Sequence, residues 1–267
     1  MPTRHCKSPI DSVYLVDQAC YTAKNQGRAL MHDIIHCGNH TLLTATNNPL
    51  GINQEWFSAH YWQSKDAIIA EKKGRSTTWF FDHSNGIGVL RHYWRGGLIG
   101  KLLNDQYLYT GLTKTRVYRE YLLLVELEKK GLHVPLPLAA RISKNGLIYR
   151  GDLITQAIPN AESLLDILKA RELGNDEIKT IGNTIADFHQ QGVFHADLNI
   201  NNIMLDNNGI VYIIDFDRGR LVEPKHPCLK ANIHRLNRSF NKEKGRNSGF
   251  YWDSTQWQVL LDAYQNN

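Results

Sequence analysis

Residues 193–218, which read VFHADLNINNIMLDNNGIVYIIDFDR, decide the fold of the chain. The stretch opens with the pattern H-x-D-L-x-x-x-N, formed by His195, Asp197 and Asn202. Two short apolar runs follow, and the polar turn 206–209 between them predicts a β-hairpin. The second run ends on Asp215. Because a hairpin folds the chain back on itself, we expect Asn202 and Asp215 to approach each other.

This arrangement is typical of phosphoryl transfer, in which the protein mainly positions metal, phosphates and acceptor. The amide of Asn202 and the carboxylate of Asp215 offer the hard oxygen ligands that Mg²⁺ prefers. Asp197 precedes the first strand of the hairpin, where its carboxylate can accept the proton of an acceptor hydroxyl. We therefore predict Asn202 and Asp215 as metal ligands, and Asp197 with its motif partner His195 as catalytic residues.

The ordered motif resembles the protein-kinase superfamily. His195-Ala196-Asp197-Leu198 stands where that superfamily has H-R-D-L, Asn202 matches its asparagine, and Asp215-Phe216-Asp217 matches its D-F-G. The alternative is a buried hairpin that carries acidic and amide residues by chance. Three matches in the right order favour the kinase-like interpretation.

Composition places the chain among ordinary globular proteins. Its 267 residues are 42% hydrophobic and 21% charged, enough for one two-lobed fold or two modest domains. The four cysteines form no C-x-x-C pair, so we expect reduced thiols in a cytosolic protein. We find no signal-peptide pattern and no stretch approaching the roughly 18 apolar residues of a membrane span. Any membrane contact is therefore expected to be peripheral.

The middle of the chain predicts a sheet that covers a nucleotide. Strands are expected at 67–70 and 78–81 around a turn at 72–77. In that turn, backbone N–H groups and small hydroxyls can contact phosphates, although an ordinary hairpin would look the same. The candidate nucleotide-binding residues there are Gly74, Arg75, Ser76 and Thr77.

Arg91 and Glu120 are predicted to form an ion pair beside the phosphates. Arg91 lies on the predicted strand 88–93, where a kinase has lysine, and its planar fork can bind phosphate oxygens. The helix predicted at 115–130 carries Glu120 in its first turns and is expected to pack through Tyr118, Leu122 and Val125. The alternatives are a solvated arginine on an edge strand and a surface glutamate.

Further strands and helices are predicted from the spacing of apolar residues and from the Gly and Pro residues that end them. Strands are expected at 138–142 and 146–149, and helices at 161–169, 176–191, 233–240 and 254–264. In the helix 176–191, one apolar stripe contains Ile178, Ile181, Ile185 and Phe188.

Residues 218–246 concentrate the positive charge of the chain. They contain nine Lys and Arg against two Glu, a local charge of +7, whereas the whole chain is +5 and the rest is therefore −2. A solvated face and an anionic partner both explain such a run. The candidate substrate-binding residues in it are Arg218, Arg235, Arg238 and Lys242.

Four motifs narrow the resemblance to the lipopolysaccharide core heptose/Kdo kinase family. They are RHYWRGGLIGK at 91–101, RVYRE at 116–120, GLHVPLP at 131–137 and LIT at 153–155. The resemblance extends from about residue 57 to residue 244 and implies a bilobal, protein-kinase-like α+β fold. Its antiparallel N-lobe sheet with one helix is assigned to 31–156 and its mostly helical C-lobe to 157–267. Residues 1–30 are an N-terminal extension to which we assign no role.

The resemblance also implies an activity. The expected reaction is ATP- and Mg²⁺-dependent phosphorylation of the 4-hydroxyl of the sugar 3-deoxy-D-manno-octulosonic acid (Kdo) on Kdo-lipid IV(A), during lipopolysaccharide core biosynthesis. The expected location is the cytoplasmic side of the bacterial inner membrane, with peripheral membrane contact. The anionic glycolipid would explain the basic segment, and no nucleic-acid partner is expected.

Two alternatives remain open at this point. One is a phosphotransferase of the aminoglycoside or choline type, although cationic acceptors favour an acidic pocket. The other is a pseudokinase scaffold, suggested by arginine at position 91, although a scaffold needs none of Asp197, Asn202 and Asp215. No A-P-E motif follows Asp215, so a peptide substrate is not expected.

Overall fold

The computed structural model describes residues 32–73, 77–94 and 105–267, which form a mixed α+β structure with antiparallel sheets. These residues divide into two compact units. The first comprises the described residues up to Val125 together with Leu136–Asn160, and the second comprises Glu126–Pro135 and Ala161–Asn267. None of the helices in the described ranges combines the length and apolar composition that a membrane crossing needs.

An eight-stranded sheet forms the first unit. Its strands are β1 (His32–Cys37), β2 (His40–Ala45), β3 (Ile68–Lys73), β4 (Thr77–His83), β5 (Gly86–His92), β6 (Tyr107–Leu108), β7 (Pro137–Asn145) and β8 (Ile148–Gln156). Their order across the sheet is β1-β2-β7-β8-β5-β4-β3, with β6 also paired to β8. β5 therefore lies inside the sheet between β4 and β8, so its residue Arg91 is not on an edge strand.

Aromatic side chains pack one face of this sheet. They come from a short 3-10 helix (Gln54–Phe57), from helix α1 (Ala59–Gln63) and from β4. Trp62 stacks on Phe81 at 4.1 Å between ring centroids, and Trp56 meets Trp62 edge-on at 5.0 Å. All three are buried, with Leu90 and Ile154 of the sheet in the same cluster.

Helix α2 (Arg116–Lys129) follows a second 3-10 helix (Leu112–Lys114) and confirms the helix predicted at 115–130. The predicted packing stripe is wrong in part, because Tyr118 and Leu122 are only half-buried. The helix instead buries a neighbouring face, which contains Val117, Glu120, Tyr121, Leu124 and Leu127. Apolar residues surround much of this helix, so periodicity alone does not select the buried face.

Both ends of the turn predicted at 72–77 lie in strands. Lys73 of β3 pairs with Thr77 of β4, and Lys72 pairs with Thr78, so these residues belong to strands. Of the candidate phosphate-binding residues, Thr77 begins β4, while Gly74, Arg75 and Ser76 lie outside the described residues. Residues 95–101 of the first family motif lie outside them as well.

The second unit contains four helices and two small sheets. Its helices are α3 (Leu164–Ala170), α4 (Asn175–Gln190), α5 (Pro227–Lys244) and α6 (Ser254–Asn266). Strands β9 (Ala161–Ser163), β11 (Ile203–Asp206) and β12 (Val211–Ile213) form one sheet, and β10 (Val193–Phe194) pairs with β13 (Arg220–Leu221). The four residues predicted to line α4 are all buried, which confirms its stripe.

Two helix boundaries differ from the sequence expectation. Residues 161–163 form β9 rather than a helix, because Ser163 pairs with Met204 of β11; Ser163 then caps α3 by accepting from the N–H of Asp166. Helix α5 is longer than the predicted 233–240 and begins with Pro227 in its first turn, where proline loses no hydrogen bond.

Gly192 is required where α4 ends and β10 begins. Its φ is +71°, and an added Cβ would lie 2.0 Å from the carbonyl oxygen of Val222. The N–H of Val222 donates to the carbonyl oxygen of Gly192 at 2.8 Å. Because only glycine allows this approach, it lets the segment after Asp217 return beside the start of residues 195–202, which carry the candidate catalytic residues and are called the catalytic loop below.

Candidate active site

The first unit contains the predicted ion pair between Arg91 and Glu120. Arg91 lies opposite Thr78 of β4 and Leu153 of β8, and its Nη2 donates to Oε1 of Glu120 on α2. The glutamate side chain is 1% exposed, against 25% for the arginine. A carboxylate buried to this extent needs a charged or hydrogen-bonded partner. The structure thus shows the pairing, whereas contact of Arg91 with phosphate stays a prediction.

Tyr93 is a second partner of this carboxylate that the sequence interpretation missed. Its hydroxyl donates to Oε2 of Glu120, so both carboxylate oxygens accept a hydrogen bond. The guanidinium of Arg116 lies 5.7 Å from the ring centroid of Tyr93 and 5.1 Å from that of Tyr107. Strand alternation, which places Tyr93 on the same face as Arg91, is the signal that could have identified it.

The predicted hairpin organises the candidate site of the second unit. β11 and β12 pair antiparallel, with Ile203 opposite Ile213. The N–H of Ile214 donates to the carbonyl oxygen of Asn202 at 2.9 Å. Asn202 and Asp215 therefore lie at the open end of one hairpin, as the sequence predicts.

His195 joins the catalytic loop to this hairpin. The side chain is buried, its Nε2 donates to the carbonyl oxygen of Ile214 at 2.9 Å, and its Nδ1 accepts from the N–H of Asp197 at 3.1 Å. Because a carbonyl can only accept and an N–H can only donate, the ring is the neutral tautomer protonated at Nε2. Burial lowers the pKa of His195, which favours this neutral form.

Helix α5 supports the same loop through two side chains that sequence reasoning missed. Asn232, 1% exposed, donates from Nδ2 to the carbonyl oxygen of His195 at 2.6 Å, and its Oδ1 accepts from the His195 N–H at 3.1 Å. Seven residues later, Ser239 accepts from the N–H of Ile200 at 3.2 Å. The sequence signal that could have identified Asn232 and Ser239 is their position on the face of α5 that carries its buried apolar residues.

Asp197 is presented at the surface of the second unit. Its side chain is 66% exposed, and Oδ1 accepts from Nη1 of Arg235 on α5 at 3.2 Å. Its carbonyl oxygen accepts from the side-chain amides of Asn199 at 2.9 Å and Asn202 at 3.0 Å. The loop backbone is therefore fixed, while the carboxylate stays accessible to an acceptor.

The donor set of Asn202 and Asp215 fits a magnesium ion. Because Nδ2 of Asn202 bonds to the loop, its Oδ1 points the other way and is available as an oxygen ligand. Asp215 has a φ of +64°, a left-handed conformation that costs energy in a non-glycine residue and is concentrated at functional sites. One amide oxygen and one carboxylate are ligand types that suit Mg²⁺.

The remaining candidate substrate-binding residues are exposed. Arg238 and Lys242 follow Arg235 on α5 at positions i+3 and i+7, so the three share one flank of the helix. Arg218 lies in the turn after Asp217, with a φ of +59°. Of the three residues on α5, Arg235 contacts the catalytic loop, whereas Arg238 and Lys242 lie further along the helix.

We predict that Asn232→Ala destabilises the protein. The change removes both hydrogen bonds that Asn232 makes with the backbone of His195. We therefore expect a loss of about 2–4 kcal/mol in the free energy of unfolding, measured by urea denaturation. Asn237→Ala is the matched control on the same helix, where the side-chain oxygen of Asn237 accepts from Nδ2 of Asn241 at the exposed surface. We expect the control to stay within about 0.5 kcal/mol of the wild type. Equal midpoints for the two variants would contradict the supporting role of Asn232.

We also predict that Arg91 and Glu120 are energetically coupled. Removal of either residue breaks the ion pair between them, so Arg91→Ala and Glu120→Ala are each expected to destabilise the protein. The double variant is expected to lose less than the sum of the two, by about 1–3 kcal/mol, in a cycle measured by urea unfolding. Strict additivity would show that the pair does not interact.

Comparisons with known proteins agree on one family. A sequence profile of the lipopolysaccharide kinase (Kdo/WaaP) family matches residues 59–264. A protein of Vibrio parahaemolyticus named 3-deoxy-D-manno-octulosonic acid kinase is 44% identical over 79% of this chain and 88% of its own length. Proteins of the same name from Vibrio cholerae and Haemophilus influenzae are 40% and 38% identical, over 77% and 79% of the chain and 86% and 90% of their own lengths.

A solved structure shares the fold. The chain of WaaP in complex with acyl carrier protein matches with a TM-score of 0.50 and 11% identity, over 77% of this chain and 82% of that one. The identity is too low to carry function, so this likeness concerns the fold alone. The profile match covers most of the chain, and relatives that share one name are at least 38% identical to it. The chain belongs to the lipopolysaccharide kinase (Kdo/WaaP) family.

Proposed function

We propose that this protein transfers the γ-phosphoryl group of ATP to a hydroxyl of Kdo in lipopolysaccharide core biosynthesis. The observation that carries the proposal is the set of relatives named 3-deoxy-D-manno-octulosonic acid kinase, which match nearly four fifths of the chain. The motif residues Asp197, Asn202 and Asp215 all lie within the matched part. In finer detail, we assign the 4-hydroxyl of Kdo-lipid IV(A) as the acceptor.

The second unit supplies the groups for proton removal and metal binding. Asp197 accepts or orients the proton of the acceptor hydroxyl, because its carboxylate is exposed and its backbone is fixed. His195 positions Asp197 through its ring nitrogens and moves no proton itself. Asn202 and Asp215 would hold Mg²⁺, which would supply positive charge to neutralise the phosphate groups.

The first unit supplies the groups for the nucleotide. Arg91, held by Glu120, binds phosphate oxygens in place of the usual kinase lysine. Gly74, Arg75, Ser76 and Thr77 cover the phosphates through backbone N–H groups and hydroxyls. We assign the N-lobe of a bilobal, protein-kinase-like fold to 31–156 and the C-lobe to 157–267.

The acceptor assay tests this function. We expect the wild type with ATP and Mg²⁺ to phosphorylate Kdo-lipid IV(A) far faster than heptosylated core, free neutral sugars, choline or an aminoglycoside. Asp197→Asn is expected to lose on the order of 10²–10⁴ in kcat, because the acceptor proton loses its base, while ATP still binds. Transfer of labelled phosphate and binding of a fluorescent ATP analogue are the two measurements.

Matched controls separate the roles in this assay. Asp187→Asn changes an exposed carboxylate on α4 and is expected to keep wild-type turnover.

The Asp215→Asn variant is expected to require more Mg²⁺ for ATP binding, and an unchanged Mg²⁺ titration would exclude Asp215 as a ligand. Absence of transfer by the wild type would refute the function and support a scaffold. Preference for a cationic acceptor would support the aminoglycoside or choline type.

We further propose that the exposed basic residues of 218–246 dock the anionic, membrane-borne acceptor at the cytoplasmic face of the inner membrane. The supporting observation is the local charge of +7 in a chain that is otherwise slightly acidic. Arg218, Arg238 and Lys242 all lie at the surface. Lys and Arg near an anionic membrane each contribute about 1 kcal/mol to binding.

Charge removal tests this docking. Arg238→Gln with Lys242→Gln is expected to weaken binding to anionic vesicles that carry Kdo-lipid IV(A) by about 2 kcal/mol, or roughly 30-fold. The loss is expected to shrink at high salt, which screens exposed charges beyond about 10 Å at 0.1 M. Lys169→Gln with Lys179→Gln removes the same charge from exposed positions outside the segment and is expected to sediment like the wild type. Equal sedimentation of both double variants at low salt would show that 218–246 is only a solvated face.

A further inference from the structure

Arg235 differs from the other basic residues of α5 because it contacts the candidate base. Its Nη1 lies 3.2 Å from Oδ1 of Asp197, and the two side chains are 46% and 66% exposed. The sequence from His195 to Asp215 contains no lysine or arginine. In the second unit, the positive charge beside Asp197 therefore comes from the helix and not from the catalytic loop.

The position of Arg235 is fixed relative to the loop. Asn232, one turn before it, holds the backbone of His195 from both sides, and Ser239, one turn after it, holds the N–H of Ile200. Because α5 continues unbroken through these positions, the base of the Arg235 side chain cannot shift against the loop. The backbone of Arg235 is thus held at a place from which its side chain reaches Asp197.

Most of the hydrogen-bonding capacity of Arg235 remains available. A guanidinium has five N–H donors, and within the described ranges its contact with Asp197 is its one hydrogen bond. The planar fork matches a carboxylate with two parallel hydrogen bonds, which an ammonium group cannot reproduce. A second carboxylate is therefore the ligand chemistry that this half-exposed side chain fits.

We propose that Arg235 binds the carboxylate of the acceptor sugar and makes the enzyme select a sugar acid over a neutral sugar. The proposal rests on the function proposed above, because Kdo is a ulosonic acid whose carboxylate lies near the hydroxyl that receives phosphate. An acidic acceptor that approaches Asp197 meets a like charge. Arg235 touches Asp197 and can contact the incoming carboxylate as well, so it offsets this repulsion where it arises.

Substitution of Arg235 is expected to leave the fold intact. An ion pair between two side chains this exposed contributes little to stability, because solvent screens it and both side chains lose freedom. A change in acceptor use can therefore be assigned to recognition, with an unchanged melting temperature as the check.

The test compares Kdo-lipid IV(A) with the same acceptor methyl-esterified at its carboxylate, in detergent at high salt so that surface docking is screened. We expect the wild type to prefer the free acid. Arg235→Gln is expected to lose on the order of 10- to 100-fold in kcat/KM for the acid, the range for a charge-assisted contact, and little for the ester. Arg235→Lys is expected to lie between the two, because it keeps the charge without the fork.

Arg238→Gln is the comparison on the same flank of α5. Any change it causes is expected to be equal for the acid and the ester, because Arg238 lies one turn further from Asp197. An Arg235→Gln enzyme that keeps the wild-type preference for the acid, or a wild type that uses both acceptors equally, would overturn the proposal. A wild type that phosphorylates neither acceptor would instead refute the proposed function.

Discussion

The candidate site of the second unit depends on the two contacts made by the buried, neutral imidazole of His195. One ring nitrogen receives the N–H of Asp197 and the other reaches the carbonyl oxygen of Ile214, so a single side chain joins the base to the strand that ends at Asp215. Protonation would turn Nδ1 into a donor that faces another donor. The apolar surroundings oppose this change, since the ring of Phe216 lies 4.8 Å away and itself stacks on Phe188. The residue that looks most like an acid–base group is therefore best suited to hold the loop.

The ion pair described in the first unit and the one described in the second differ in what they contribute. Glu120 is buried, and loss of its partner Arg91 would leave a charge in the protein interior, a change that typically costs about 3–5 kcal/mol. Asp197 and Arg235 are half-exposed or more, and such a pair is typically worth about 0–1 kcal/mol. The first pair thus stabilises the unit in which it lies. The second contributes almost nothing to the free energy of folding. Substrate recognition therefore explains its position beside the candidate base better than stability does.

Local signals in the sequence predicted the elements that depend on local structure. The hairpin was predictable because a polar, glycine-containing turn separates its two apolar runs, and α4 because its apolar stripe has one clear face. The strand at 161–163 was not, because it forms only when Ser163 meets Met204, which is distant in sequence. The buried face of α2 was misassigned because apolar residues surround it. The match to the position of a kinase-fold glutamate, and not periodicity, identified Glu120 as the partner of Arg91.

Helix α5 shows why charge alone misrepresents a segment. The nine Lys and Arg of 218–246, five of them on this helix, indicate a surface run. Asn232 and Ser239 of the same helix nevertheless point inward and hold the catalytic loop. Both are ordinary polar residues, and only the fold distinguishes them from solvated ones. Arg235, Arg238 and Lys242 project from the adjoining flank of the same helix. Under the function proposed above, one helix would therefore both bind the anionic acceptor and place the base.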